Sequence, residues 1–166
     1  MILGLSTGTF TMLHVALSLI GIASGIIVLF GMLSGKRLDG LTAIFLAATV
    51  LTSVTGFLFP TDHLLPSHIV GIISLVALGL AIIALYVYRL AGSWRWIYVA
   101  SAVVALYLNV FVGVVQAFQK LPAVQALAPT QSEPPFLIAQ IVVLAILVVL
   151  GGVALKTFHP EARVPA

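Results

Sequence analysis

The chain has 166 residues, of which 62% are hydrophobic and 7% are charged, and its mean hydropathy is +1.28. A globular domain carries about a quarter charged residues, so this chain has too few polar groups to cover a compact surface in water. The composition therefore excludes a water-soluble domain and predicts an integral membrane protein. The lack of cysteine excludes disulfides, thiolate metal sites and covalently attached c-type haem. The net charge of +3 comes from residues scattered over the loops, and no basic patch indicates nucleic acid.

Five apolar runs follow one another along the chain, each long enough for a helix to cross about 30 Å of hydrocarbon. None alternates polar and apolar residues, which favours helices over barrel strands. The first run lacks the positive region of a secretory signal, so we expect it to remain as a helix in the mature protein. The sequence predicts one all-α domain over residues 1–166, a polytopic bundle of five transmembrane helices. The predicted spans are 10–33, 41–59, 67–88, 96–118 and 135–157.

The distribution of Lys and Arg predicts the orientation, because cytoplasmic loops retain these residues. In a five-span arrangement Lys120 lies on one side, and six basic residues lie on the other: Lys36, Arg37, Arg89, Arg95, Lys156 and Arg163. This bias predicts an N-terminus outside and a C-terminus in the cytoplasm. Aromatic residues at the inner ends of the third and fourth spans are expected to form an interfacial belt. They are Tyr86, Tyr88, Trp94, Trp96 and Tyr98.

Prolines interrupt the apolar pattern in the outer connection before the last span. Residues 121–129 carry a proline near each end, which predicts a short interfacial helix that begins at the first proline and ends at the second. The Pro134–Pro135 pair is expected to open the last span, where a missing backbone N–H has no cost.

Small and polar residues recur at helical spacing and predict the faces that pack inside the bundle. The first span has His14, Ser18, Gly21 and Gly25 on one face, and its GxxxG pattern favours close approach of a second helix. The corresponding stripe of the fourth span consists of Asn109, Gly113 and Gln116. That of the fifth span consists of Gln140, Leu144, Leu147 and Gly151. Tyr107, Phe111 and Phe118 are expected to contact lipid or a partner. Apart from Lys156 at the very end of the fifth span, no charged residue lies within a span, which argues against proton relays and ion-coupled transport.

Polar groups gather toward the outer side of the predicted bundle. Counting helical rise from the inner basic residues puts His14, His68 and Gln116 at the outer rim, about 32 to 34 Å away. Asn109 and Gln140 fall lower, about 21 to 24 Å from the inner side, in the outer half of the hydrocarbon.

Two interpretations of this polar group remain open. In the first, His14 and His68 bind a metal, a haem b or a quinone, with Gln116, Gln140 and Asn109 as further cofactor-binding residues. Alternatively, Asp62, His63 and His68 bind a divalent metal at the outer surface. In the second interpretation, the histidines lie in the headgroup region and the amides hydrogen-bond neighbouring helices. No catalytic residue is indicated, because the chain has neither a GxSxG motif nor facing carboxylates.

Four runs together resemble a family of small bacterial multi-pass membrane proteins of uncharacterised function. They are residues 13–22 (LHVALSLIGI), 51–57 (LTSVTGF), 94–98 (WRWIY) and 128–136 (APTQSEPPF). The resemblance implies a bacterial inner membrane, and no functional residue is carried over from it.

Three functions are compatible with these features. The first is a non-enzymatic accessory or interaction subunit, embedded in the lipid bilayer with other membrane subunits or with further copies of itself. The second is a redox-linked protein that holds haem b or a quinone near its outer face. The third is a small-solute channel or transporter, although the inner halves of the spans offer no polar path.

Overall fold

A computed structural model describes residues 1–62 and 66–160 of the chain. The described residues form no strand and are organised by helices. The helices are α1 (Thr7–Leu33), α2 (Asp39–Gly56), α3 (Pro66–Ile82), α4 (Trp94–Lys120), α5 (Pro122–Gln125) and α6 (Pro134–Thr157). A π-helical turn, Ile83–Val87, prolongs α3.

The all-α prediction is confirmed. Five of the described helices, α3 being counted together with its π-helical turn, are long and apolar enough to cross a membrane. Each coincides with a predicted span to within three residues at either end. The short α5 begins at Pro122, as its proline predicted, but it ends at Gln125 instead of continuing to Pro129.

The long helices form a closed arrangement around one core. Helix α1 packs against α2, α2 against α3 and α3 against α4, while α6 lies against both α4 and α1. Helix α4 also contacts α1 directly and is therefore the central helix. Buried apolar side chains of α2, α3, α4 and the segment after α6 contribute to this core; they include Phe45, Leu78, Ala81, Ala105, Leu106 and Phe158.

The predicted face of α1 is the packed face. A Cβ atom at Gly21 would lie 2.9 Å from Thr49 Oγ1, and one at Gly25 would lie 2.8 Å from both Phe45 and Leu106. The absence of side chains at these two positions lets α2 and α4 approach α1 closely.

One end of the bundle, here called the basic end, is joined by contacts between three segments. Thr157 Oγ1 donates to Met32 O over 3.1 Å, and Arg95 Nη1 donates to Phe158 O over 2.6 Å. The α1–α2 loop, the start of α4 and the end of α6 therefore meet there. The basic end carries Lys36, Arg37, Arg89, Arg95 and Lys156, whereas Lys120 lies at the opposite end. Arg163 lies outside the described residues.

The aromatic belt is only partly as expected. Tyr86, Tyr88 and Trp96 are exposed at the basic end, and Tyr88 stacks on Trp94 with ring centroids 3.8 Å apart. Tyr98, however, is a core residue, 2% exposed. It faces inward because Thr42 and Phe158 provide a polar and an aromatic neighbour inside the bundle.

Some residues expected to face lipid are buried or partly buried, and one residue expected to face the core is exposed. Phe118 is buried, because α6 begins beside the end of α4 and places Phe136 in an edge-to-face contact with it. Tyr107 is partly buried against the core. Leu144 is exposed although Gln140 and Leu147 of the same predicted stripe are buried, since α6 meets its neighbours along a narrow face.

Candidate functional site at the histidine end

The opposite end, here called the histidine end, contains the starts of α1, α3 and α6 and the ends of α2 and α4. His14 lies in the second turn of α1, and its Nδ1 is 2.8 Å from Thr55 Oγ1 of α2. Thr55 Oγ1 also lies 2.7 Å from Leu51 O, four residues back along its own helix. The histidine is thus joined to the backbone of α2 through one hydroxyl.

The proton arrangement at this pair follows from counting donors. The Thr55 hydroxyl has one hydrogen, and Leu51 O can only accept it. Both hydrogen bonds form together only if Thr55 donates to Leu51 O and the Nδ1–H of His14 donates to Thr55 Oγ1. In the neutral imidazole Nε2 is then the unprotonated nitrogen, with a lone pair available to a ligand.

One aromatic ring contacts His14, and a second ring contacts the first. The Phe59 ring stands edge-on to the imidazole at 5.3 Å between centroids, and Phe10 stands edge-on to Phe59 at 5.2 Å. On the other side, a Cβ at Gly56 would lie 3.7 Å from His14 Cε1. The imidazole therefore lies beside apolar groups at the histidine end of the bundle.

His68 occupies a separate environment on the other side of α2. Its ring stacks on Phe57 with centroids 5.3 Å apart and planes inclined by 15°, and the residue is 8% exposed. Among the described residues, no Cα atom of α1 lies within 8 Å of one of α3. His14 thus contacts Thr55 and Gly56 of α2, whereas His68 contacts Phe57 directly after it, so the two imidazoles have different neighbours at the end of α2.

The expected metal site consists of Asp62, His63 and His68. Asp62 is exposed in the bend after α2, and His63 lies outside the described residues. Within the described part of the chain, no three His, Asp or Glu side chains are grouped in a way that could hold a metal ion.

Asn109 joins α4 to α1 in the middle of the bundle. Ser18 Oγ donates to Asn109 Oδ1 over 2.9 Å, and the amide is 7% exposed. Its Nδ2 has no hydrogen-bond partner among the described residues. The nitrogen lies beside the Gly21 backbone, where a Cβ would be 2.9 Å from it and equally close to Thr49 Oγ1.

Glutamine side chains join α6 and the loop before it to α4. Gln140 Nε2 donates to Phe111 O over 3.2 Å, and Gln131 Nε2 donates to Val115 O over 3.1 Å. The two acceptor carbonyls are one helical turn apart, so both amides bind the same face of α4. Gln140 Oε1 is buried without a described partner.

The remaining candidate, Gln116, is half-buried near the end of α4. Its Nε2 is 3.4 Å from Gln119 Oε1 of the next turn. Neither His14 nor His68 shares a described hydrogen bond with Gln116, Gln140 or Asn109. The five cofactor-binding candidates are therefore spread over separate contacts.

Sequence reasoning missed three residues that matter here. Thr55 and Phe59 define the surroundings of His14, and Gln131 holds the loop before α6. Thr55 lies three residues after Thr52, a helical spacing of polar residues that was an available signal. Phe59 and Gln131 lie in non-helical segments, where periodicity gives no indication of direction.

Fold and site together define a class: α-helical bundles with five helices long and apolar enough to span a membrane, held together by polar contacts between helices. Comparison of the chain with protein-family models, curated proteins and solved structures finds no match.

Proposed function

We propose that the protein is a non-enzymatic, multi-pass membrane protein that acts as an accessory or interaction subunit of a larger membrane assembly. Support comes from the use of polar side chains inside the spans. Ser18 bonds Asn109, Ser53 Oγ donates to Ser74 Oγ over 3.2 Å, and Gln140 bonds the α4 backbone. These groups hold helices together, as polar residues in membrane bundles commonly do.

The observation that carries the proposal is the peripheral position of α6. Only 17% of its most apolar window is buried, against 39% for α1 and for α4. Its packed face meets α4 and α1, which leaves an apolar face that includes Ile141, Val148 and Val149. We assign this face to a helix of a partner subunit, with Gln140 and Gln131 fixing α6 in position.

We further propose the bacterial inner membrane as the location, with the N-terminus outside and the basic end in the cytoplasm. The concentration of described basic residues at one end supports this orientation. The resemblance to small bacterial membrane proteins supports the choice of membrane.

Site-specific photocrosslinking in intact cells tests the partner face. A photoreactive residue at Val148 of α6, 63% exposed, is compared with the same residue at Val76 of α3, 61% exposed. The proposal expects one protein adduct of reproducible mass at Val148 and lipid adducts alone at Val76. Equal lipid labelling at both positions, together with a monomeric size after mild extraction, would contradict it.

A second candidate, binding of a quinol headgroup, is favoured by the proton arrangement at His14. A quinol hydroxyl could donate to the Nε2 lone pair while its ring lies beside Phe59 and Phe10. The bis-histidine haem b alternative needs His14 and His68 as a pair, and the two imidazoles have different neighbours at the end of α2. We therefore place the quinol form ahead of the haem form.

Equilibrium dialysis of a short-chain quinol against the purified protein tests this candidate. His14→Leu should abolish binding, and Thr55→Val should weaken it because the tautomer is no longer fixed. Ser53→Ala serves as the matched control, since it removes a hydrogen bond between helices away from His14. Equal binding by His14→Leu and the unaltered protein would rule the quinol site out. A visible haem spectrum lost in both His14→Ala and His68→Ala would favour haem instead.

A further inference from the structure

The basic end brings two lysines from distant parts of the sequence close together. Gly35 follows α1 with φ +67°, and a Cβ built on it would lie 3.4 Å from Thr157 O. Lys36 is the next residue after Gly35, and Lys156 directly precedes Thr157. Both lysines are exposed. The close approach of the two backbones thus places Lys36 and Lys156 next to the two residues that form one contact.

Hydrogen bonds close the end of α1 and hold it against the end of α6. Lys36 N donates to Gly31 O and Gly35 N donates to Met32 O, which closes the end of α1. The hydroxyl of Thr157 reaches the same turn of α1 at Met32 O. The lysine backbones are therefore held by hydrogen bonds on both sides, and only their side chains remain adjustable.

Neighbouring groups add positive charge and hold Phe158, the residue directly after α6, against the bundle. Arg95 donates to the carbonyl of Phe158 and thereby holds the segment after α6 against the bundle. Lys36, Arg37 and Phe158 line one shallow cleft. Among the described charged residues of this end, Asp39 is the acidic one, and it forms an ion pair with Arg37.

The positive charge of the two lysines and their place at the end of the helices indicate the class of ligand. An ammonium pair at the end of membrane-spanning helices suits a phosphate group with a negative charge. Exposed aromatic residues at the same end, Tyr86, Tyr88 and Trp96, mark the level of the headgroups. We propose that Lys36 and Lys156 together bind the phosphate of an anionic phospholipid from the surrounding bilayer, with Arg95 as a positioning residue. This inference does not depend on the proposed accessory role.

Native mass spectrometry of the full chain provides the test. The protein is titrated with phosphatidylglycerol and, separately, with phosphatidylcholine of identical acyl chains. We expect the anionic lipid to bind about tenfold more tightly, and the double variant Lys36→Gln, Lys156→Gln to lose that preference. Lys120→Gln is the matched control, because it removes one exposed lysine from the opposite end.

Further arms of the experiment distinguish binding of a lipid phosphate from binding of free phosphate and from general attraction by net charge. Inorganic phosphate at the same concentration should not displace the lipid; displacement would assign the site to free phosphate and overturn the proposal. An equal loss of preference in Lys120→Gln would show general attraction by net charge and would overturn it as well. Absence of any preference in the unaltered protein would do the same. Size in detergent and helical circular dichroism are compared for all variants, so that loss of folding is recognised.

Discussion

Gly25 shows how a single residue controls the packing of three helices. It lies on α1 between Phe45 of α2 and Leu106 of α4, which are 1% and 2% exposed. An added Cβ would come within 2.8 Å of both side chains, below any normal contact distance. Because these neighbours belong to a close-packed core, they have little space into which they could move.

We expect Gly25→Ala to destabilise the bundle by about 1 to 3 kcal/mol, the usual cost of overpacking a core. Thermal unfolding in detergent, followed by circular dichroism, measures the effect. Gly152→Ala is the control, because a Cβ at Gly152 has no atom within 4 Å. Equal melting temperatures for the two variants would show that the α1 face is not closely packed.

Asn109 illustrates a residue whose role the sequence predicted only in part. Its position on a polar stripe correctly indicated a buried amide, and the alternative of a contact between helices agrees with the bond from Ser18. The identity of that partner could not be predicted, because it depends on which turn of α1 faces which turn of α4.

At the scale of an element, the start of α6 is organised by one carboxylate. Glu133 accepts hydrogen bonds from Thr130 Oγ1 at 2.9 Å, from Thr130 N at 3.2 Å and from Ser132 N at 3.2 Å. Desolvation would raise the pKa of Glu133, but the hydrogen bond from the Thr130 side chain and those from backbone N–H groups outweigh it. The pKa of Glu133 is therefore lowered from its usual value of 4.5.

A lowered pKa in the folded state means that the ionised carboxylate stabilises the loop. This contribution is present above the unfolded-state pKa near 4.5 and is lost as the pH falls through the lower folded-state value. We expect hydrogen-exchange protection of the Thr130 and Ser132 amides, corrected for intrinsic rates, to decrease over that acidic range. Glu133→Gln should show reduced protection at pH 7 and no such transition. An identical pH profile in the variant would contradict the assignment.

The end of α3 is an element that sequence patterns did not predict. Apolar residues continue through Ile83–Val87, yet the backbone widens into a π-helical turn there. Arg89, Leu90 and Gly92 then take positive φ values and reverse the chain. Hydropathy is unaffected by this change, because it reports burial in lipid and not the hydrogen-bond register of the backbone.

At the scale of the whole molecule, charge is separated between the two ends. The described basic residues lie at the basic end except Lys120, while Asp62 and Glu133 lie at the opposite end. Five helices long enough to span would carry the described N-terminal and C-terminal segments to opposite sides of a membrane. The proposed orientation joins these two features, with the basic end in the cytoplasm.

The cysteine-free sequence makes this orientation directly measurable. Single cysteines at Ser34, Ser93 and Gln125, all exposed, are treated with a membrane-impermeant maleimide in intact cells. Gln125→Cys should react at once, whereas Ser34→Cys and Ser93→Cys should react only after permeabilisation. Labelling of all three from one side would refute five crossings, and the reverse pattern would invert the topology.

The sequence by itself determined the number and extent of the membrane-length helices, because the thickness of a bilayer requires about 20 apolar residues for each crossing. It also determined which end carries the positive charge, since loop residues do not depend on packing. The tertiary structure alone decided that His14 pairs with Thr55 of α2 and that His68 stacks on Phe57. Those facts depend on helix order and rotation about the helix axis, and lipid-facing and core-facing positions are equally apolar in such a chain, so composition cannot distinguish them.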